Sequence, residues 1–208
     1  RMECQHARLD RAAAAAHHAR VIEDQLVVVV VVMEERQLQR ARIGLDVAVE
    51  NASRAAAIFE SLGDTASQGR ALRAKSAALW GSNRSALCSQ VSAEALALAR
   101  RSGDLFGQGE ALNSMAIVEG DIAVQRRLFS QALDSYKAAG YVLSQSQANG
   151  NLGNSYADLG LHRRGRRLTL DAADISRRAG WLGGLLIWTW NLAQWAFEAC
   201  SLDEAREF

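Results

Sequence analysis

QSQANGNLGNSYADLGLHRRGRRLTLDAADISRRAG occupies residues 145–180 and decides how the rest of the chain is interpreted. Apolar and small residues recur in it at three- and four-residue spacing, the pattern of amphipathic helices. The first half contributes Ala148, Leu152, Gly153 and Tyr156, and the second half contributes Leu168, Ala172 and Ile175. The stretch therefore predicts two short helices joined by a tight turn.

Glycines divide the chain at a nearly constant period. Gly63, Gly103, Gly140 and Gly180 each follow a small or polar helix end, at spacings of 40, 37 and 40 residues. Glycine is favoured just beyond a helix end because, without a Cβ, it adopts the left-handed conformation at no steric cost. A second set of breaks is expected near Gly44, Gly81, Gly120 and Gly160. This period predicts an array of helix–turn–helix–turn units.

The same residue types return at matched positions of these units. The recurring glutamines are Gln68, Gln108 and Gln145, and the alanines three residues later are Ala71, Ala111 and Ala148. Small residues then recur at Ser76, Ala116, Gly153 and Ala193. Small side chains let paired helices approach closely, and each pair leaves an apolar face for the next pair to cover. We predict units at about 22–63, 64–103, 104–140 and 141–180, with a partial unit at 181–208.

Leu152-Gly153 followed by Tyr156, with Ala172 on the next helix, resembles the tetratricopeptide repeat (TPR) pattern. Thr169 departs from it, because the family favours an aromatic residue at that position. The resemblance covers roughly residues 45–208. The units of this chain are similar to those of the long-unit arrays in large bacterial signalling proteins. The resemblance implies an all-α fold, a right-handed superhelix of antiparallel helix pairs (a TPR-like α-solenoid), forming a single domain over 1–208.

The resemblance also implies a concave groove, lined by the first helix of each unit, that binds a protein or peptide. The alignment assigns these contacts to Arg70, Arg73, Asn113, Gln147, Asn151, Asn154, Trp190, Gln194 and Phe197. Further lining positions are Ala77, Glu110, Ile117, Gly150 and Ile187. The family's clamp for a C-terminal carboxylate is not reproduced, since Arg73 is followed one turn later by Ala77. A chaperone-tail ligand is therefore not expected.

Residues 181–197, WLGGLLIWTWNLAQWAF, contain four of the five tryptophans. Trp181, Trp188 and Trp195 recur every seventh residue and are expected to face the core. Ile187, Trp190, Gln194 and Phe197 form a second face aligned with the groove. Two interpretations of that face stand: further C-terminal units cover it, or it is an aromatic pocket for a peptide or small ligand.

Two polar groups have alternative interpretations. Arg163, Arg164, Arg166 and Arg167 suggest a phosphate-contacting patch, but a solvated face is favoured because Asp158, Asp171 and Asp174 are near in sequence. Asn113, Asn149, Asn151, Asn154 and Asn191 suit hydrogen bonds to an extended peptide, or alternatively join the hairpins to one another.

Composition narrows the setting. The formal net charge of +1 gives no global field that favours nucleic acid or an anionic membrane. Cys4, Cys88 and Cys200 show no metal-binding or disulfide spacing, so a reducing, cytoplasmic compartment fits best. Leu26–Met33 is far shorter than the roughly 20 residues that span a bilayer. Within it, Val27–Val32 is interpreted as a buried helix, with a strand as the alternative.

The chain begins at Arg1 and ends at Phe208 as a new helix starts, which suggests a fragment of a larger protein. No catalytic set, cofactor motif or metal site can be assembled from its residues. The leading expectation is a non-catalytic scaffold that binds a protein or peptide, as a regulatory segment of a bacterial signalling or transcription-regulatory protein. The alternatives are a ligand-sensing module and self-association through the C-terminal aromatic face.

Overall fold

A computed structural model describes residues 42–198 of the chain. These residues lie in one compact unit, Asp46–Phe208, except for 42–45, which belong to another unit ending at Leu45. Residues 1–41, which include the valine run 27–32, and residues 199–208 lie outside the described part.

Residues 42–198 form eight α-helices and no strand. The helices are α1 (42–61), α2 (Thr65–Gly81), α3 (Ser85–Ser102), α4 (Leu105–Ile117), α5 (Ile122–Ala139), α6 (Val142–Asp158), α7 (His162–Arg178) and α8 (Leu182–Glu198). The prediction of an all-α fold is thereby confirmed for the described residues. None of the helices in 42–198 has the length and apolar character needed to cross a membrane.

Each helix packs against its neighbours in the chain. The most extensive contacts are within the pairs α2–α3, α4–α5 and α6–α7, and the contacts α3–α4, α5–α6 and α7–α8 join one pair to the next. The first helices of successive pairs also touch directly, α2 with α4 and α6 with α8. This arrangement is a helical repeat in which the core is built from sequential contacts.

The predicted glycine boundaries are helix ends. The four predicted glycines Gly63, Gly103, Gly140 and Gly180 all have left-handed φ values, between 69° and 74°. Asp64 and Asp104 directly follow two of them and accept hydrogen bonds from Ser67 N at 3.0 Å and Gly107 N at 2.8 Å. These aspartates satisfy amide groups that have no partner within the helix, which fixes where α2 and α4 begin.

The second set of breaks differs in detail from the prediction. Gly44 itself is not a break, because residues 42–61 form one continuous helix, and the residues before 42 lie outside the described part. A glycine inside a helix costs only about 1 kcal/mol, which packing of the following turns, including Val49 against the core, outweighs. At the next break Gly81 is the last residue of α2, and Asn83 adopts the left-handed conformation with φ of 60°.

The α6 and α7 backbones touch where both helices have glycine. A Cβ added to Gly153 would lie 2.9 Å from the Gly165 carbonyl oxygen, and one added to Gly165 would lie 2.7 Å from the Gly153 oxygen. A Cβ on Gly153 would also overlap the Thr169 hydroxyl, which fills the space beside the glycines. That hydroxyl is buried and has no hydrogen-bond partner among the described residues.

The other pairs fill the equivalent contact differently. In α2–α3 the hydroxyls of Ser76 and Ser92 are hydrogen-bonded to each other, with Cys88 Sγ 3.3 Å from Ser76 Oγ. In α4–α5 the corresponding residues are Ala116 and Ala132, which are both fully buried. The space between paired helices is thus filled by different combinations of side chains, while the close approach is kept.

Substituting Gly153 with alanine is expected to lower the free energy of unfolding by about 1–3 kcal/mol, because the new Cβ overlaps backbone atoms of α7. Gly69 provides the matched control, since a Cβ there would meet nothing within 4 Å. Gly69→Ala should raise stability by about 0.5–1 kcal/mol through reduced chain entropy of the unfolded state. Urea titration followed by circular dichroism measures both changes, and equal effects of the two substitutions would contradict the packing described.

Candidate functional site

Arg70 and Arg73, predicted to contact a partner, have different surroundings on α2. Arg70 is exposed and donates a hydrogen bond to Ser67 Oγ at 2.7 Å. The Arg73 side chain is only 17% exposed and forms an ion pair with Asp104 Oδ2 at 3.5 Å. Its guanidinium also lies over the Phe106 ring, 5.5 Å from the centroid. Arg73 therefore joins α2 to the start of α4.

The asparagines connect first helices of successive pairs. Asn151 Nδ2 on α6 donates to Asn113 Oδ1 on α4 at 3.1 Å. Asn191 Nδ2 on α8 donates to Asn154 Oδ1 on α6 at 3.2 Å. Each bond spans neighbouring first helices, which agrees with the interpretation in which these residues join hairpins. Asn154 and Asn151 are half-buried, so both lie partly at the surface of α6.

Glu110, a predicted lining residue, binds a buried tyrosine. Its Oε1 accepts a hydrogen bond from Tyr136 Oη at 2.6 Å. Gly109 makes room for the ring, because a Cβ there would lie 2.6 Å from Tyr136 Cδ1. Burial raises the pKa of the Tyr136 hydroxyl above its ordinary value of 10.0, and the negative charge of Glu110 raises it further. Tyr136 therefore remains a neutral donor that links α5 to α4.

Trp188 is in the core, as its heptad spacing predicted. It is 3% exposed, and its indole N–H donates to Ser146 Oγ at 3.1 Å. Its ring lies on α6 at Gly150, where a Cβ would be 2.5 Å from Cη2 of the indole. Trp181 and Trp195, at the other two positions of the series, are half-buried.

The opposite side of α8 exposes large apolar side chains. Leu186, Trp190 and Phe197 are 70%, 67% and 66% exposed. Ile187 and Gln194, also predicted to line the groove, are exposed too. The structure thus places the α8 members of the predicted site together on one accessible helical face.

The 40-residue spacing of Gly140 and Gly180 identifies the positions on α6 that correspond to this face. Leu186 corresponds to Ser146, Trp190 to Gly150, and Phe197 to Ala157 by this offset. On α6 those positions are buried under helices: Ser146 Oγ binds Ala172 O on α7 at 2.8 Å and the Trp188 indole on α8. The exposed face of α8 is therefore the equivalent of a face that elsewhere packs against two helices.

Gln147 completes the list of predicted contact residues and is half-buried on α6. By the repeat offsets it corresponds to Arg70, Glu110 and Ile187. The first helices therefore present, one turn into each unit, a series of long side chains that differ in charge.

The arginine run of α7 meets α5 at an aromatic ring. Arg163, Arg164, Arg166 and Arg167 are exposed. The guanidinium of Arg164 lies 4.3 Å from the Tyr156 ring centroid, and that of Arg126 on α5 lies 5.5 Å from it. Asp174 forms ion pairs with Arg177 and Arg178, at 3.6 and 2.9 Å.

Sequence reasoning did not identify the Tyr136–Glu110 and Trp188–Ser146 bonds. The sequence feature that could have indicated these bonds is a large residue where the neighbouring unit has a small one. Tyr136 corresponds to Ala99 by the 37-residue offset, and Trp188 corresponds to Ala148 by the 40-residue offset. In both cases a glycine on the facing helix provides the space. Within residues 42–198, no three His, Cys, Asp or Glu side chains are grouped so as to hold a metal ion.

Comparison with known proteins identifies a structural neighbour. The crystal structure of BtubC (BKLC) from P. vanneervenii matches with a TM-score of 0.62 and 15% sequence identity. The match covers 81% of this chain and 69% of that chain. At this identity the likeness shows a shared helical fold alone. No protein-family model and no curated protein matches the sequence.

The buried Tyr136 hydroxyl predicts a specific pH dependence. Because its pKa is raised in the folded protein, its contribution to stability is complete below about pH 10 and is lost as the pH rises further. The stability advantage of the wild type over Tyr136→Phe should therefore shrink by about 1.4 kcal/mol per pH unit above pH 10. Tyr141→Phe, at a half-exposed tyrosine, is the control. Urea unfolding between neutral and alkaline pH tests this, and a constant advantage would contradict it.

Proposed function

We propose that the chain is a TPR-like interaction scaffold that binds a protein or peptide segment along the first helices of its pairs. The observation that carries this proposal is the direct contact of α2 with α4 and of α6 with α8. No comparable contact joins α3 to α5 or α5 to α7, and α4 and α6 are joined by the Asn151–Asn113 hydrogen bond rather than by a contact of that extent. This asymmetry supports a stack that curves toward its first helices, and a curved stack of this kind offers a concave binding surface.

The chemistry of this surface suits an extended peptide. Gln147 offers an amide donor and acceptor for a peptide backbone. The half-buried Asn154 offers its amide N–H groups, while its oxygen accepts from Asn191. Arg70 offers an exposed charge at the other end of the series. Trp190 and Phe197 offer aromatic anchors of the type that carry much of the affinity in protein interfaces. Arg73 and Asn113, which are engaged by Asp104 and Asn151, contribute by holding the first helices in register.

In this proposal the chain itself has no catalytic role and uses no cofactor. Its place is a regulatory segment of a larger bacterial signalling or transcription-regulatory protein in the cytoplasm. The partner is another protein or a peptide, rather than nucleic acid or a membrane. The repeat supplies a rigid surface, and the neighbouring domains of such a protein would supply the output.

Peptides selected from a displayed random library by the 208-residue chain should bind the first-helix surface. Trp190→Ala and Gln147→Ala are expected to weaken a selected peptide by about tenfold each, or about 1.4 kcal/mol. Leu87→Ala is the matched control, because Leu87 is exposed on the second helix α3. Isothermal titration calorimetry gives the affinities, and equal losses for Leu87→Ala and Trp190→Ala would remove support for this surface.

Self-association through α8 is a second candidate, favoured by the correspondence between its exposed face and the covered face of α6. Apolar side chains as exposed as Leu186 and Trp190 are costly unless a partner covers them. A second copy of the chain would bury both faces at once in a symmetric contact.

Sedimentation velocity at increasing protein concentration tests this candidate. The expected result is a mass that rises toward the dimer, with the rise reduced by Trp190→Ala and unchanged by Leu87→Ala. A monomeric mass throughout the accessible concentration range would exclude self-association and leave the face to another occupant.

A further inference from the structure

Two helices that do not contribute to the first-helix surface bring arginines together. Arg126 on α5 and Arg164 on α7 both lie against the ring of Tyr156, at 5.5 and 4.3 Å from its centroid. Arg163 and Arg167 flank Arg164 on the same helix, and all three are exposed. We refer to Arg126, Arg163, Arg164 and Arg167 as the arginine cluster.

None of the four arginines of the cluster forms an ion pair with a carboxylate of residues 42–198. Arg54, Arg73, Arg84, Arg177 and Arg178 form ion pairs with carboxylates of the described residues, and none of them belongs to the cluster. Asp174, the acidic residue of α7 nearest its C-terminus, is engaged by Arg177 and Arg178 rather than by the cluster. A solvated face was favoured because Asp158, Asp171 and Asp174 are near in sequence. Of these, Asp174 pairs with other arginines, whereas Asp158 and Asp171 are exposed.

The cluster has the properties of a binding surface for anionic groups. The four positively charged side chains of the cluster create a local positive potential, which attracts an anion. The guanidinium group presents a planar fork of donors that matches a carboxylate in a two-bond geometry. The Tyr156 ring lies against two of these groups, which limits the rotamer freedom that binding would otherwise remove.

The nearby residues favour a short acidic segment over a long polyanion. Asp158 and Asp171 lie on either side of the run 162–167 in sequence, and both are exposed. Their charges would repel any polyanion, peptide or nucleic acid, that continued past the cluster, so only a short anionic segment fits. The net charge of +1 likewise provides no broad field for nucleic acid.

We propose that the arginine cluster on α5 and α7 binds a short acidic segment of a protein, rich in Asp or Glu. This surface is distinct from the one on the first helices, because all of its arginines lie on second helices. The two proposals therefore stand or fall separately, and one chain can hold two partner segments at once.

A fluorescently labelled oligoglutamate peptide is the probe, and its fluorescence anisotropy with the 208-residue chain at low ionic strength is the measurement. Arg126→Gln and Arg164→Gln should each weaken binding by about three- to tenfold, and the double variant by more than tenfold. Arg100→Gln is the matched control, since Arg100 is exposed on the second helix α3 and the same charge is removed. Binding by the control should remain close to that of the wild type.

Further measurements separate the outcomes. Arg164→Lys keeps the charge but removes the fork, so it should retain part of the affinity, and unchanged circular dichroism confirms that the variants fold. Equal loss in Arg100→Gln, or no binding of oligoglutamate by the wild type, overturns the proposal. Tighter binding of a single-stranded oligothymidylate, lost in the same variants, overturns it in favour of nucleic acid.

Discussion

The close approach of the two helices in each pair constrains the rest of the structure. Between α6 and α7 it is so close that two glycines, Gly153 and Gly165, bring backbone to backbone. Such an approach leaves a fixed, small volume for the side chains around it, and protein interiors tolerate neither overlap nor voids at that density. The side chains of the two helices must therefore fill this volume together. In α2–α3 the hydroxyls of Ser76 and Ser92 fill it, and in α6–α7 Thr169 fills it beside a glycine. The residue types that fill the contact therefore change from pair to pair.

Large and small residues also complement each other at other contacts, both within the pair α4–α5 and between α6 and α8 of successive pairs. Tyr136 fits because Gly109 faces it, and Trp188 fits because Gly150 does. Each of these large residues has a polar atom, and each polar atom meets a partner on the facing helix, Glu110 for the phenol and Ser146 for the indole. A buried donor left unpaired costs about 1–3 kcal/mol, so the glycine and the acceptor are both needed. This coupling explains how the units diverged in sequence while retaining one backbone arrangement.

The sequence predicted what depends on local chemistry. The helix ends at Gly103 and Gly140 were identifiable because a left-handed cap has a strong residue preference. Gly44 shows the limit of that rule, since the same residue inside a helix costs little and contacts elsewhere decide the outcome. Contacts such as Arg73–Asp104 and Asn113–Asn151 were not predictable, because they depend on the register between helices separated by dozens of residues. The all-α repeat was predictable from the periodicity of the sequence. The exposure and the hydrogen-bond partners of each predicted contact residue were evident only from the structure.

Alignment of the units assigned Trp190 and Phe197 to a groove by the same reasoning that assigned Arg70 and Gln147 to it. The positions of α6 that correspond to those aromatics, Gly150 and Ala157, instead contact the following helices. Equivalent residues are thus exposed on one first helix and buried in a helix–helix contact on another. The neighbours of each first helix decide whether its face is covered. On α8 the same side chains can either pack against another helix or bind an extended peptide, since both are bound through apolar anchors. What distinguishes them is the backbone of the occupant: a peptide needs the amides of Gln147 and Asn154 beside the aromatics, whereas a helix satisfies its own backbone and needs the aromatics alone.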